Sequence, residues 1–188
     1  RDLFNIVRNI KKVHKIKPVI LMGYYNMIYQ YGESNFVKDC KNSGVSGIIC
    51  VDLSWPENKE FAKKCKNKSI SFIQLLSPTT TKYRMKNIFK DSHDMVYYIS
   101  MLSTTGGKLK VSPEKLLKNY KRIKGANPKK NLVIGFGITD KTISNLRSSD
   151  GLVVGSAICN EITKSIKTRQ NVVRNVTNLV KKLKKKIL

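Results

Sequence analysis

Two apolar runs in the carboxyl-terminal half of the sequence end in glycine, the residue that lets a backbone approach an anion most closely. The glycine-bearing ends of these runs, NLVIGFG (131–137) and GLVVGSAI (151–158), are Gly135-Phe136-Gly137 and Gly155-Ser156. If both runs are neighbouring parallel strands, backbone N–H groups at a tight turn and a helix start can point at one anion. The pattern predicts a phosphate pocket there. The alternative is that these glycines serve only turns and helix packing.

Cysteine and histidine give no comparable signal for a metal or a disulfide. The four cysteines, Cys40, Cys50, Cys65 and Cys159, lie far apart, with no C-x-x-C pair and only 2 histidines in the chain. Metal sites and disulfide frameworks need tighter ligand spacing. We expect four ordinary thiols in a reducing compartment and no metal.

The elements that would position the glycine ends alternate between apolar runs and amphipathic stretches. The six runs predicted as buried strands are 17–25, 47–53, 70–76, 94–101, 131–137 and 151–158. The stretches predicted as helices are 2–15, 33–44, 55–68, 81–92, 112–125 and 139–149, with a last helix from about Glu161 into the lysine-rich tail. Continuous apolar strands alternating with helices predict a parallel α/β fold.

Chain length favours a closed barrel over an open sheet. An eight-stranded (β/α)8 TIM barrel typically needs about 250 residues, and this chain has 188. The shortfall of about 60 residues is close to two βα units. We therefore predict a single domain over residues 1–188 that comprises the last six βα units of the barrel and lacks its first two strands.

The charge of the chain raises the question of nucleic-acid binding. The net charge is +25, but its 37 basic residues are scattered along every segment without an aromatic and basic ribbon. A charge run is more often a solvated face than a binding site, so RNA binding is the less favoured interpretation. No apolar run approaches the length of about 18 residues that spans a bilayer. We expect a soluble, cytoplasmic protein whose first residue, Arg1, is not its natural start.

Several motifs together resemble one family, the tryptophan synthase alpha chain. They are VILMGYYNMIYQYG followed by FVKDCKNSGVSGIICVDL, LLSPTTTKYRMKNI followed by MVYYISMLSTTGG, and the two glycine-ended strands. The resemblance extends over essentially the whole chain in the family's order. It implies a (β/α)8 barrel lyase that cleaves indole-3-glycerol phosphate to indole and glyceraldehyde 3-phosphate by a retro-aldol reaction. It also implies an alpha2beta2 assembly with a beta chain that holds pyridoxal phosphate, and no cofactor or metal in the alpha chain itself.

The resemblance assigns site residues position by position. Those matching the family's phosphate contacts are Gly106, Gly135, Phe136, Gly137, Gly155 and Ser156. Those matching the indole and glycerol pocket are Met22, Tyr24, Ile49, Tyr97, Thr105 and Val153, with Phe136 contributing to both and Thr105 helping to close the site. Simple core packing is the alternative for Met22, Ile49 and Val153. Asp52 receives a structural or intersubunit role rather than that of a general base.

The family's catalytic glutamate and aspartate have no counterpart in this sequence. They belong to a stretch resembling ELGIPFSDPxADGP, which the resemblance places upstream of Arg1, so no catalytic residue is assigned here. Two interpretations follow: a fragment of a complete enzyme, which the intact downstream motifs favour, or a degenerate relative. In either case we expect the 188-residue chain alone to be inactive and, with two unpaired strand edges, poorly soluble or molten.

The sequence departs from the family's pattern in two loops. Ser103-Thr104 replaces a glycine and a small apolar residue before Thr105, and Ser54-Trp55 replaces a proline-rich turn, which puts loop closure and coupling to the beta chain in question. The alternatives are a non-catalytic activator of the beta chain and another phosphate-binding (β/α)8 isomerase. The isomerase would share the glycine ends but not GYYN, SPTT and TTGG.

Overall fold

The computed structural model describes residues 2–93, 95–100, 112–135, 138, 140 and 142–187. The protein is an α/β fold. The helices are α1 (Asp2–Val13), α2 (Tyr25–Tyr31), α3 (Glu33–Ser43), α4 (Lys59–Asn67), α5 (Lys82–Asp91), α6 (Pro113–Ala126), α7 (Ser156–Lys167) and α8 (Val172–Lys185). The strands are β1 (Ile20–Gly23), β2 (Gly47–Cys50), β3 (Ser71–Phe72), β4 (Gln74–Leu76), β5 (Met95–Ile99), β6 (Asn131–Gly135) and β7 (Gly151–Val153).

The chain divides into two compact units, and the first comprises Arg1–Leu75 and Lys82–Val96. Its three-stranded sheet has the order β1-β2-β3, and both strand pairs are parallel. The buried side chains that share its core include Phe4, Val7, Ile28, Val37, Cys40, Ile48, Phe61, Cys65, Ile70 and Phe72. Strand β2 is buried along its whole length, as expected for the central strand of a parallel sheet.

The second unit comprises Leu76–Thr81 and Tyr97–Leu188. A four-stranded sheet follows the order β4-β5-β6-β7, and β6 and β7 pair in parallel. The buried apolar residues on its elements include Tyr98, Leu116, Ile123, Leu132, Ile134, Ile143 and Leu146. Helix α6 begins where the sequence predicts, because Ser112 accepts a hydrogen bond from the Lys115 N–H and Pro113 occupies the first turn.

Three predicted elements differ from the structure. The run 70–76 forms two strands, β3 in the three-stranded sheet and β4 in the four-stranded sheet. Ile73, between them, still bonds the Ile48 carbonyl through its N–H at 2.9 Å. The predicted helix 139–149 is wrong: within its described residues only Ile143–Leu146 is helical, as a single 3-10 turn. Its many Thr, Ser, Asn and Asp side chains compete with the backbone for hydrogen bonds, which disfavours a longer helix.

The predicted carboxyl-terminal helix is two helices, α7 and α8. The first begins at Ser156, five residues before the predicted start, and the chain turns at Arg169, which has a φ of 53°. Asn171 then accepts a hydrogen bond from the Arg174 N–H at 2.9 Å and caps α8. The short helix α2 was not predicted.

The four cysteines are free thiols that differ in burial. Cys40, Cys50 and Cys65 are buried free thiols and Cys159 is exposed. Burial, the main cause, raises the pKa of each buried thiol to about 12, so these three resist ionisation.

Within the part of the chain that the structure describes, no helix is both long enough and apolar enough to cross a membrane.

Candidate functional site

The carboxyl ends of β6 and β7 lie side by side in the second unit. Gly135 pairs with Val153 at the end of the shared register, and the chain reaches Gly155 two residues later. Gly155 is the N-cap residue of α7, so the helix begins directly beyond this strand end. The sequence prediction that the two runs are neighbouring parallel strands with adjacent ends is confirmed for Gly135, Val153, Gly155 and Ser156.

The start of α7 presents backbone donors. The Gly155 carbonyl accepts hydrogen bonds from the N–H groups of Ile158 and Cys159 at 2.9 and 3.1 Å. Among the described residues, the N–H groups of Ser156 and Ala157 have no acceptor. A 12-residue helix adds the partial positive charge of its N-terminus to these donors. This end of α7 can therefore hold an anion.

Gly155 leaves room for such an anion. Its φ is −115°, a value that other residues also adopt, so a left-handed backbone does not explain the glycine. A Cβ built at this position would meet no atom of the described residues within 4 Å. The space in front of the residue is open, and no side chain of the described protein fills it.

Gly135 is glycine for a different reason. A Cβ at this position would overlap the hydroxyl and ring carbons of Tyr97, whose side chain is 4% exposed. Neither Gly135 nor Gly155 has a positive φ, so a left-handed backbone is not the reason for either glycine. The glycine at 135 therefore accommodates the Tyr97 ring, and two of the predicted site residues are in direct contact.

Tyr97 and its neighbour Ser100 shape this end of β6. Burial raises the pKa of the Tyr97 phenol, so the group remains a neutral hydroxyl near neutral pH. The Ser100 hydroxyl donates to the Gly135 carbonyl at 2.7 Å, and the Ser100 N–H bonds the same oxygen at 3.2 Å. Sequence reasoning missed Ser100. The only feature of the sequence that could have indicated Ser100 is its position as a single serine at the end of an apolar strand.

Asp150 fixes the other end of the β6 and β7 pair. Its carboxylate accepts from the Leu132 N–H at 2.8 Å and from the Lys124 ammonium at 2.6 Å. The Asp150 N–H donates to the Tyr120 hydroxyl at 2.9 Å. Burial alone would raise the pKa of Asp150, but these hydrogen bonds outweigh it and lower the pKa. The bond from the Leu132 N–H joins the start of β6 to the residue before β7 and so supports the register that places Gly135 opposite Val153.

The remaining described pocket candidates belong to the first unit. Met22 on β1 pairs with Ile49 on β2, and Tyr24 follows β1 directly. Met22 and Tyr24 are 53% and 62% exposed, whereas Ile49 is 6% exposed. Ile49 therefore fits the core-packing alternative as well as a pocket wall, while Met22 and Tyr24 present apolar surface at the edge strand of their sheet.

Asp52 has a structural contact of its own. Its carboxylate accepts the Tyr25 N–H at 2.7 Å and so caps the first residue of α2 from the end of β2. This bond links the segments that follow two adjacent strands. It agrees with the structural part of the role expected from the sequence.

Four predicted site residues lie outside the described residues: Thr105, Gly106, Phe136 and Gly137. Their roles stay predictions. Among the described residues, no group of three or more histidine, cysteine, aspartate and glutamate side chains could hold a metal ion.

The parallel strands and the helices packed with them place this chain in the α/β class, in which ligand sites lie at the carboxyl edge of the sheet. Comparison with known proteins identifies the family within this class. The family model described as "Tryptophan synthase alpha chain" matches residues 1–188. The chain belongs to the tryptophan synthase alpha chain family.

Individual relatives support this membership. The chain is 70% identical over 187 residues to a tryptophan synthase alpha chain from Pelagibacter ubique (strain HTCC1062), covering 100% of this chain and 71% of that one. The crystal structure of the alpha chain from Legionella pneumophila subsp. pneumophila superposes with a TM-score of 0.89 at 31% identity, covering 99% of this chain and 68% of that one. A chain of the tryptophan synthase complex from Pyrococcus furiosus gives a TM-score of 0.83 at 29% identity, covering 97% and 72%.

Proposed function

We propose that this chain provides the phosphate anchor and part of the indole pocket of a tryptophan synthase alpha subunit. The reaction is retro-aldol cleavage of indole-3-glycerol phosphate to indole and glyceraldehyde 3-phosphate. The observation that carries the proposal is the open N-terminus of α7 at the paired ends of β6 and β7. A phosphate bound there supplies binding energy remote from the reacting carbon bond, which positions the substrate for cleavage.

Each candidate residue has a role in this proposal. The N–H groups at Gly155 and Ser156, with Gly106 and Gly135 to Gly137, surround the phosphate. Met22, Tyr24, Ile49, Tyr97, Phe136 and Val153 form the apolar walls for indole and glycerol, and Thr105 closes the site. An apolar pocket with one anion anchor suits an uncharged aromatic ring joined to a phosphate.

The reaction also requires two carboxylates to move protons and stabilise the protonated indole ring. The 188-residue sequence contains no stretch resembling ELGIPFSDPxADGP. We therefore expect the chain alone to lack lyase activity. A chimera in which the unmatched segments of the Pelagibacter relative are joined to this chain, hereafter the chimera, is the form in which to assay it.

The assembly follows from the same proposal. Residues 1–188 would be the last six βα units of a single (β/α)8 domain in the cytoplasm. The subunit would join a beta chain in an alpha2beta2 complex, pass indole to it, and carry no cofactor of its own. Pyridoxal phosphate would be bound by the beta chain.

Substitution at Gly155 tests the phosphate anchor. Because no atom of the described residues lies within 4 Å of the new Cβ, Gly155→Asp should leave the fold intact. Its carboxylate would repel the substrate phosphate at close range. We expect kcat/KM of the chimera to fall at least ~100-fold, since losing charge-assisted hydrogen bonds and adding repulsion costs about 3 kcal/mol.

Gly125→Asp is the matched control, because a Cβ at Gly125 on α6 likewise meets nothing within 4 Å in the described part of the chain. Its kcat/KM should stay within about twofold of the parent. Equal activity of the two variants would remove the phosphate assignment from the α7 N-terminus.

The second candidate function is activation of a beta chain without catalysis. The two functions separate cleanly in an assay of the 188-residue chain mixed with a beta chain. Faster tryptophan formation from indole and serine, without cleavage of indole-3-glycerol phosphate, would support the activator role.

A further inference from the structure

One buried serine joins two strand ends of the second unit. Ser100 directly follows β5, and its hydroxyl donates to the carbonyl of Gly135, the last residue of β6, at 2.7 Å. The Ser100 N–H bonds the same oxygen at 3.2 Å. Ser100 is only 2% exposed. Both bonds have ordinary lengths, and burial protects them from competing water.

The two residues stand where neighbouring strands lead into segments with proposed phosphate contacts. Gly106 comes six residues after Ser100, and Gly137 comes two residues after Gly135. Strands β5 and β6 are neighbours in the four-stranded sheet. The hydroxyl of Ser100 therefore ties the two strands together at the end from which both segments continue.

The Gly135 carbonyl is a position where such a bond has consequences for an anion. A glycine backbone is freer than that of any other residue, so its peptide group needs an external restraint to keep one orientation. In a planar peptide bond, the direction of a carbonyl also fixes the direction of the N–H that follows it. A bond that holds the Gly135 oxygen would thus orient the first donor of the proposed phosphate contacts beyond β6.

We infer that Ser100 is a positioning residue for the phosphate anchor and acts through Gly135 rather than by contact with the substrate. The inference rests on the proposed function and adds a residue to it. Donors that are oriented before the ligand arrives need no reorganisation when it binds, which increases affinity. A bond that only strengthened the sheet would contribute to stability and leave phosphate affinity unchanged.

Ser100→Ala in the chimera tests the role of the hydroxyl. The variant keeps the backbone N–H of residue 100 and its bond to Gly135, so the strands should stay paired. The measurement is the inhibition constant of each reaction product by itself. We expect the constant of glyceraldehyde 3-phosphate to rise at least about fivefold, and that of indole, which has no phosphate, to stay within about twofold.

A second variant and a matched control separate positioning from stability. Ser100→Cys puts a weak donor of similar size in the same place, so it leaves no cavity and should raise the same constant. The control is Ser92→Ala, because Ser92 is 6% exposed and its hydroxyl donates to the Phe89 carbonyl at 3.0 Å in the first unit. It should lower the midpoint of urea unfolding about as much as Ser100→Ala and leave both inhibition constants within about twofold.

Three results would overturn the inference: an unchanged constant for glyceraldehyde 3-phosphate in both Ser100 variants, an equal rise for indole, or an equal rise in Ser92→Ala. Failure of the proposed function is distinguishable from these results. The parent chimera would then neither cleave indole-3-glycerol phosphate nor bind glyceraldehyde 3-phosphate, and the inference would fall with it.

Discussion

At the scale of single residues, the contact between Gly135 and Tyr97 explains why β6 ends in glycine. A methyl group at position 135 would overlap the buried Tyr97 phenol. We expect Gly135→Ala to destabilise the chimera by about 1–3 kcal/mol, the usual cost of overpacking. The free energy of urea unfolding measures this destabilisation. Gly155→Ala is the control, because its new methyl group meets no described atom within 4 Å.

A double-mutant cycle identifies the cause of that loss. Tyr97→Ala removes the overlapping ring, so Gly135→Ala should cost at least about 1 kcal/mol less in that background. Costs that simply add would mean that the two side chains do not interfere. The clash would then not be the reason for glycine at position 135.

At the scale of elements, Glu33 joins three helices of the first unit. As the first residue of α3, it accepts the Tyr25 hydroxyl of α2 at 2.7 Å and pairs with Lys64 of α4. The hydrogen bond to Glu33 is the main cause that raises the pKa of Tyr25 to about 12. Burial would raise the pKa of Glu33, but the bonds from Lys64 and Tyr25 outweigh it and lower the pKa.

This arrangement predicts a pH-dependent contribution to stability. A carboxyl group whose pKa is lower in the folded than in the unfolded state stabilises above its unfolded pKa, and the gain is lost as the pH falls through the folded pKa. Glu33→Gln should therefore cost about 1 kcal/mol at neutral pH and progressively less in acid. Urea unfolding across pH measures the difference. Glu57→Gln, at an exposed position without an ion pair among the described residues, should show no such trend.

Elements differ in how well the sequence predicts them. Helix α6 carries its own cap in Ser112 and Pro113, and β2 is a continuous apolar run, so local signals were sufficient. The change of sheet at Ile73 depends on partners distant in sequence, and no local pattern encodes it. At the site, the sequence alone indicated which two strands end in glycine. The Tyr97 contact and the Ser100 bond to the Gly135 carbonyl depend on how strands are placed side by side.

At the scale of the whole molecule, the apolar surface of β1 is the main liability of the 188-residue chain. Ile20 and Met22 are 39% and 53% exposed on a strand that lies at the edge of its sheet in the described structure. Tyr24 and Met27, just beyond it, are 62% and 70% exposed. An exposed apolar edge strand can pair with another chain, so we expect this polypeptide to bind a hydrophobic dye and to aggregate as its concentration rises.

Replacing the β1 side chains tests whether this surface is the cause. Ile20→Thr with Met22→Thr keeps residues that favour strands while removing exposed apolar area. It should lower dye fluorescence and raise the concentration at which light scattering begins. The control pair is Ile166→Thr with Val173→Thr, whose parent side chains on α7 and α8 are 63% and 76% exposed. This pair also removes exposed apolar surface, but it should change scattering much less because helices have no open strand edge. A monomer of the parent chain that melts sharply and reversibly would contradict the prediction, since its β1 surface would then cause no association.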